Sequence, residues 1–243
     1  MKPGRTEIDR TARAEPQAAR EDGDAGARAG SKTSAAARQA MVAAGPSASR
    51  VFLISPASCA GKRARMLLRD AAAFPLARQV RDGGAPLAEI FTFLSGLYFR
   101  GKLVYATAFA APPPGAPPAL IITSSRGLVS PAAITTLADL QEYARVPIDS
   151  DAFRRALDQT ARALARSIDD DTLVILLGSI ATGKYVDVLV DIFGPRLRFP
   201  VEFIGRGDMS RGGLLLRCAE DGRPLEYVPI DGRSRRGHRP PRL

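Results

Sequence analysis

The forty residues from Thr172 to Arg211 constrain the fold more than any other part of the chain. The apolar run Leu173 to Leu177 halts at Gly178 and small residues. An amphipathic segment, Tyr185 to Phe193, then ends at Gly194-Pro195, and a second apolar run, Leu197 to Ile204, stops at a loop rich in Gly and Arg. Continuous apolar runs of this length suit strands buried on both faces. A helix between two of them is the usual crossover of a parallel sheet. The stretch therefore predicts strand, loop, helix, strand, loop, and with it an α/β domain. In such domains ligands sit just beyond the carboxyl ends of the strands. The loops Gly178 to Lys184 and Gly205 to Arg211 become the first places to look for a site.

Similar signals recur upstream. Val51 to Ser55 and Ala119 to Thr123 read as strands. Lys62 to Val80 has helical spacing interrupted by Pro75, and Pro86 to Ala110 is helical with a kink or break at Gly96 and Gly101. Ala111 to Pro118, APPPGAPP, is a stiff connector. Ser124 to Pro131 reads as a loop. Asp151 to Ser167 is a helix with Phe153, Leu157 and Leu164 on one face and four arginines outside it. Ser210 to Glu220 reads as a last helix and Leu225 to Ile230 as a last strand. The expected fold is one Rossmann-like α/β domain over 50–232, its mostly parallel sheet flanked by helices. Residues 1–48, nearly free of large apolar side chains, read as a disordered extension, and 233–243 as a basic tail.

Charge and composition narrow the chemistry. The net charge is +10, but 1–50 and 233–243 carry most of the excess, and 51–232 holds 21 basic against 19 acidic residues. A basic total alone therefore does not establish a nucleic-acid surface on the folded part. The one histidine, His238, lies in the tail, which excludes a Ser-His-Asp or Cys-His mechanism and a His-ligated metal in the core. Acids and bases in the core must come from Asp, Glu, Lys, Tyr or Cys. Two cysteines, Cys59 and Cys218, make no metal-ligand spacing or disulfide framework, so a reducing, cytoplasmic setting without metal or cofactor is expected. No apolar run reaches the ~18 residues of a membrane span.

Three strand-end loops carry the candidate residues. Gly178 to Lys184 matches the phosphate-loop spacing G-x-x-x-x-G-K, but Tyr185 stands where a Ser or Thr would hold Mg²⁺. The same glycines serve a tight strand-to-helix turn, and Lys184 with the helix-start amides also suits another anion. Ser55 to Arg63 brings Lys62, Arg63 and Arg65 to a helix start. Cys59 beside these cations is either a nucleophile or a packed thiol. Gly205 to Gly213 sets Arg206 and Arg211 among glycines, a pattern that lets guanidinium forks and backbone amides approach a phosphate together. Asp208 and Ser210 also suit a helix cap.

In order along the chain, these motifs resemble those of the YaaA-like family, named for a bacterial peroxide-stress protein that binds DNA. The family's ISPAK strand end is similar to Ile54-Ser55-Pro56-Ala57, with Ser58 at the lysine position. Its LSGLYGVLRP loop resembles Ile122 to Pro131, which includes Thr123, Arg126 and Gly127. Its A-S-x-E-Y turn is similar to Ala181-Thr182-Gly183-Lys184-Tyr185, without the acid. Its R-G-x-M-S-R is matched by Arg206-Gly207-Asp208-Met209-Ser210-Arg211, and Leu97-Tyr98 with Gly101 resembles its V-Y-x-G-L element. The likeness spans roughly 51–216 as short islands. The wider group resembles the central domain of archaeosine synthase and uracil-DNA-glycosylase-like domains. The resemblance implies one α/β domain, a nucleic-acid connection and a stress-response role, and it transfers no catalytic residue.

The expectation is a protein that binds nucleic acid or a nucleotide-like ligand at the strand ends. Arg126, Lys184, Arg206, Ser210 and Arg211 would contact phosphates, and Ser55, Thr123, Gly127, Thr182 and Gly207 would shape the pocket. The alternative is a glycosylase or nucleoside-hydrolase type of enzyme acting on a nucleobase-containing substrate. It would need a carboxylate to activate water, from Asp187, Glu202 or Asp208. Glu202, inside an apolar run, is either buried or on the strand's exposed alternate face. A third reading is a scaffold whose basic tail binds acidic partners.

Overall fold

A computed structural model describes residues 48–180 and 183–230. The N-terminal extension expected over 1–48 falls outside these residues except for Ala48, and Thr182 and the basic tail fall outside them entirely. The apolar runs become buried strands. Val51, Phe52, Leu53 and Ile54 are fully buried, as are Val174 to Leu177, because both faces of their sheet are covered. The strands are β1 (Arg50–Ile54), β2 (Ala85–Pro86), β3 (Ala119–Thr123), β4 (Gly127–Val129), β5 (Ile134–Thr135), β6 (Leu173–Leu177), β7 (Leu197–Pro200) and β8 (Tyr227–Pro229). Six of them form one sheet in the order β4-β3-β1-β6-β7-β8, and β2 pairs with β5 apart from it. The β3, β1, β6 and β7 strands are mutually parallel, with Phe52 opposite both Ala119 and Ile175. Both outer strands, β4 and β8, run antiparallel to their neighbours, so the sheet is mixed.

The helices are α1 (Lys62–Leu67), α2 (Pro75–Asp82), α3 (Leu87–Ser95), α4 (Leu97–Phe109), α5 (Leu137–Arg145), α6 (Asp151–Ser167), α7 (Gly183–Phe193) and α8 (Asp208–Glu220). Alternation along the strands divides the core in two. Phe52, Ile54, Ile175 and Leu177 pack with α1 to α5 and α8, and Val51, Leu53, Val174 and Leu176 pack with α6 and α7.

Several expected boundaries move for local reasons. The Lys62 to Val80 segment is two short helices, because Pro75 starts a new one at its first turn. Gly96, at φ +64°, separates α3 from α4. Gly101 does not break α4. A Cβ there would stand 2.7 Å from Gly212 O, and one on Gly212 would stand 2.9 Å from Leu97 O and Tyr98 Cα. The two glycines let α4 and α8 touch backbone to backbone, and the beginnings of both helices are thereby brought together. The run from Leu197 to Ile204 is a strand only to Pro200, and Val201–Phe203 is a 3₁₀ turn. The expected loop at Ser124 to Pro131 contains β4, which turns back on β3 at Gly127.

The order of the parallel strands creates the crevice. From β1 the chain passes to β3 on one side, then crosses back to β6 on the other. The loops leaving β1 and β6 therefore head to opposite faces of the sheet, with Ser55 and Gly178 side by side at the carboxyl ends.

Candidate functional site

Ser55 follows the last residue of β1, its N–H donating to Leu177 O at 3.1 Å. Its position is fixed by the sheet, not by a mobile loop. Lys102 rises from α4 below it. The Lys102 Nζ lies 2.8 Å from both the carbonyl oxygen and the hydroxyl of Ser55. The amine also sits over the rings of Tyr98 and Phe99, 4.5 and 5.0 Å from their centroids. With 1% of its surface exposed, Lys102 is a core residue in all but chemistry. No carboxylate among the described residues comes within ion-pair distance of it. Burial therefore pulls its pKa from 10.5 down to about 7, Asp208 nearby opposing the shift and Arg211 adding to it.

Gly178 ends β6 directly opposite. A Cβ at that position would fall 2.7 Å from Ser55 Cβ and 2.9 Å from the Tyr185 hydroxyl, so only glycine lets these two side chains meet there. Tyr185, near the start of α7, donates to Ser179 O at 2.8 Å. Burial pushes its phenol up to about 12, against the lowering effect of the Ser55 hydroxyl and the Ser179 carbonyl, so it stays protonated at neutral pH. The Tyr98 hydroxyl is buried and makes no hydrogen bond. Burial raises its pKa as well, with the Arg211 guanidinium pulling the other way.

The start of α8 closes the third side. Gly207 caps the helix without a side-chain hydrogen bond, which leaves the first-turn amides unserved by any cap. Arg211 is folded inward, its guanidinium donating to Phe203 O at 3.1 and 2.8 Å and lying 5.2 Å from the Phe203 ring. Asp208 reaches it at 3.8 Å. Arg206 extends Nη1 to the Ser210 hydroxyl at 3.4 Å, while its Nε is buried without a partner.

The strand ends thus bring Ser55 and Tyr185 within reach of Asp208 and Arg211 at the start of α8, whose loop also carries Arg206, Gly207 and Ser210; Lys184 precedes Tyr185 in α7. The strand ends do not gather the remaining candidates. Arg126 lies in the β3–β4 turn, paired with Asp139 and, at 3.4 Å, Glu142 of α5. Thr123 accepts from Arg126 N and donates to Gly127 O, which ties that turn. Gly127, at φ +63°, leaves no room for a Cβ against Ala156 O and Thr160 of α6. Thr182 lies outside the described residues. Of the three carboxylates, Glu202 accepts from Glu226 N at 3.3 Å and so turns toward β8, and Asp187 is folded toward Gly183 in its own helix. Asp208 alone acts on Lys102, Tyr98 and Tyr185.

The first loop also divides. Arg63 and Arg65 donate to Phe93 O and Ala60 O, at 3.0 and 3.1 Å. Burial lifts the Cys59 thiol to about 12, which leaves it protonated and inert. This loop instead lines a hollow of about 320 Å³ beyond β1 and β3, walled by Pro56 to Ala60, Phe91, Ser124 and Tyr143. Among the described residues no three His, Cys, Asp or Glu side chains gather as a metal would require. No helix there is long and apolar enough to cross a membrane.

Lys102 and Tyr98 lie against Ser55 and Arg211 without having been marked by the strand-end pattern. Both belong to a helix that reads as core, and a lysine amid Leu97, Tyr98, Phe99, Leu103 and Tyr105 was the one available signal. No family model, curated protein or solved structure matches the chain.

Proposed function

We propose that this chain binds a nucleotide-like ligand or a nucleic acid across the end of β1. The observation that carries this reading is the pairing of two unlike surfaces on the Ser55–Ala60 segment. One side is a hollow of about 320 Å³ walled by Phe91 and Tyr143, a size within the usual range for small-ligand sites. The other is the crevice with Arg206, Arg211, Lys184 and the uncapped start of α8. A flat ring suits the first and a phosphate the second. The half-unpaired Arg206 guanidinium is the group best able to accept that phosphate, since Arg211 is already committed to Phe203. The four parallel strands and the change of direction at β1 support a Rossmann-like assignment. The YaaA-like resemblance supports the nucleic-acid half of the reading, and a stress role rests on the resemblance alone.

The test is binding of labelled single-stranded DNA to the full chain as salt is raised. It compares the natural chain with Arg206→Ala/Lys184→Ala and with a variant whose five tail arginines become serine. Each phosphate contact to a single strand contributes about 0.7 to the slope of log affinity against log salt. The double variant is expected to lose about 1.4 from that slope. If only the tail variant loses binding, the crevice is not a nucleic-acid site. The glycosylase-type alternative retains one well-placed carboxylate, Asp208. Base release from an oligonucleotide that Asp208→Asn abolishes, with binding intact, would favour it.

A further inference from the structure

The Ser55–Lys102 contact plays no part in the phosphate binding proposed above. We propose that Ser55 is a nucleophile and Lys102 its general base, a serine–lysine pair that cleaves a carboxylic ester by way of an acyl-serine.

Three observations carry the assignment. First, the nitrogen and the hydroxyl oxygen are 2.8 Å apart, within the distance proton transfer requires. Second, the amine is enclosed by Ser55, Tyr98 and Phe99 and makes no ion pair with a carboxylate; Asp208, which favours the charged form from farther off, is opposed by burial and by Arg211. A structural lysine in a protein core is ordinarily paired with an acid. Third, the neutral amine fits the same geometry as the charged one. The charged amine donates to both Ser55 oxygens; once neutral it keeps the bond to the carbonyl and can take the hydroxyl proton on its lone pair, a proton the Ser55 hydroxyl otherwise directs at Tyr185. Burial lowers the amine's pKa to about 7, so both forms are populated near neutrality. Ser55 keeps 7% of its surface exposed and Lys102 1%. The order from solvent is thus nucleophile first, base second.

Ser55 Oγ attacks the ester carbonyl carbon, a new C–O bond forms, and the hydroxyl proton passes to Lys102 Nζ. The bond to the leaving alcohol breaks, and Lys102 returns the proton to that alcohol's oxygen. Water then attacks the acyl-serine and gives a proton to Lys102, the acyl–Oγ bond breaks, and Oγ recovers the proton. The net reaction is ester and water to acid and alcohol. A carbonyl substrate is favoured over a phosphoryl dianion, because an anion against Lys102 would hold the amine protonated and remove the base.

The test is covalent labelling of the full chain with a fluorophosphonate. Oγ displaces fluoride from phosphorus and its proton goes to Lys102. Intact-mass and peptide spectra read the adduct. Stoichiometric labelling of Ser55 is expected, rising with pH through a midpoint near 7 and absent in Ser55→Ala. Lys102→Met and Lys102→Arg should both slow it by about 100-fold or more, since arginine keeps the charge but cannot serve as a base. Turnover of p-nitrophenyl acetate with an initial burst would follow from the same pair. A folded natural chain whose Ser55 takes no label, or labels at a rate independent of pH between about 6 and 9, overturns the proposal. That outcome stands even where the lysine variants fail to fold, because it is read on the unaltered protein.

Discussion

Two adjacent glycines of α8 should respond in opposite ways to one methyl group. At Gly212 an added Cβ lies 2.9 Å from Leu97 O and Tyr98 Cα and 3.0 Å from Leu97 C, all of them backbone atoms of α4. No side-chain rotation relieves such contacts, so the two helices must separate by several tenths of an ångström. Overpacking of this kind costs about 1–3 kcal/mol, and the better helix propensity of alanine returns about 1 kcal/mol. Gly212→Ala should therefore lose about 1 kcal/mol, and at most about 2 kcal/mol. At Gly213 the nearest atom is Arg217 Nη1 at 3.4 Å, the end of a flexible, exposed side chain. There the propensity gain stands nearly alone, and Gly213→Ala should gain about 0.5–1 kcal/mol. With a urea dependence of about 2 kcal/mol per molar, the two midpoints should differ by about 1 M. Gly101→Ala, which meets Gly212 O from the other side, should repeat the Gly212→Ala loss. The double variant should lose less than the sum, because one separation relieves both clashes. Equal midpoints for the two α8 variants, measured by circular dichroism in urea, would refute the idea that a glycine contact seats α8 against α4.

Other glycines make further tests. Gly127→Ala combines a left-handed backbone with a collision into Ala156 O, so a loss of about 3 kcal/mol or more is expected in the same denaturation assay. Gly115→Ala, equally left-handed at φ +80° but with nothing within 4 Å, should lose only about 1 kcal/mol. Gly178→Ala pushes Ser55 away from Tyr185 and should lower fluorophosphonate labelling of Ser55 by about tenfold or more. Labelling at the natural rate would mean that the Ser55 position tolerates the shift.

The parts of this fold that were legible in the sequence are those set by local pattern. β1, β3, β6, α6 and α7 announce themselves through unbroken apolar runs or helical spacing, and the Ser55, Gly178 and Gly207 loops follow from where those runs end. What stayed hidden depends on contacts across the chain. Pro200 ends β7 four residues early because the turn Val201–Phe203 must carry the chain to α8, and Glu202 moves with it toward β8. The short strands β2, β4 and β5 have too few residues for any periodicity to register. Arg126 reads as a free cation in a loop and is instead held by Asp139 and Glu142, on a helix whose one local signal is the Thr136–Asp139 capping box. Lys102 is the clearest case. Its neighbours in sequence are apolar, so it reads as a lysine with an apolar stem, and only the path of α4 beneath β1 brings its amine to Ser55. Site residues contributed by core helices leave no trace at the strand ends where sequence reasoning looks.

Lys102 also links the strand end to stability. In the unfolded chain its pKa is the ordinary 10.5, and in the folded chain it is about 7. Between those values the unfolded state binds a proton that the folded state does not, so folding strengthens as pH rises and weakens as pH falls toward 7. At about 1.4 kcal/mol per pH unit, allowing for half-protonation at the lower end, the gain from pH 7 to 9 is about 2 kcal/mol. Above that range the slope should reverse. Burial raises Cys59, Tyr98, Tyr105 and Tyr185, so the folded chain keeps protons that the unfolded chain has released. Lys102→Met removes the first contribution and leaves the second, so its stability should be level or falling over the same interval. Urea midpoints at several pH values read the difference directly. A natural chain with no gain from pH 7 to 9 would mean that the amine stays charged in the folded state. A charged amine cannot take the Ser55 proton, so that one result would leave Ser55 an ordinary buried serine whose carbonyl is tied to a structural lysine.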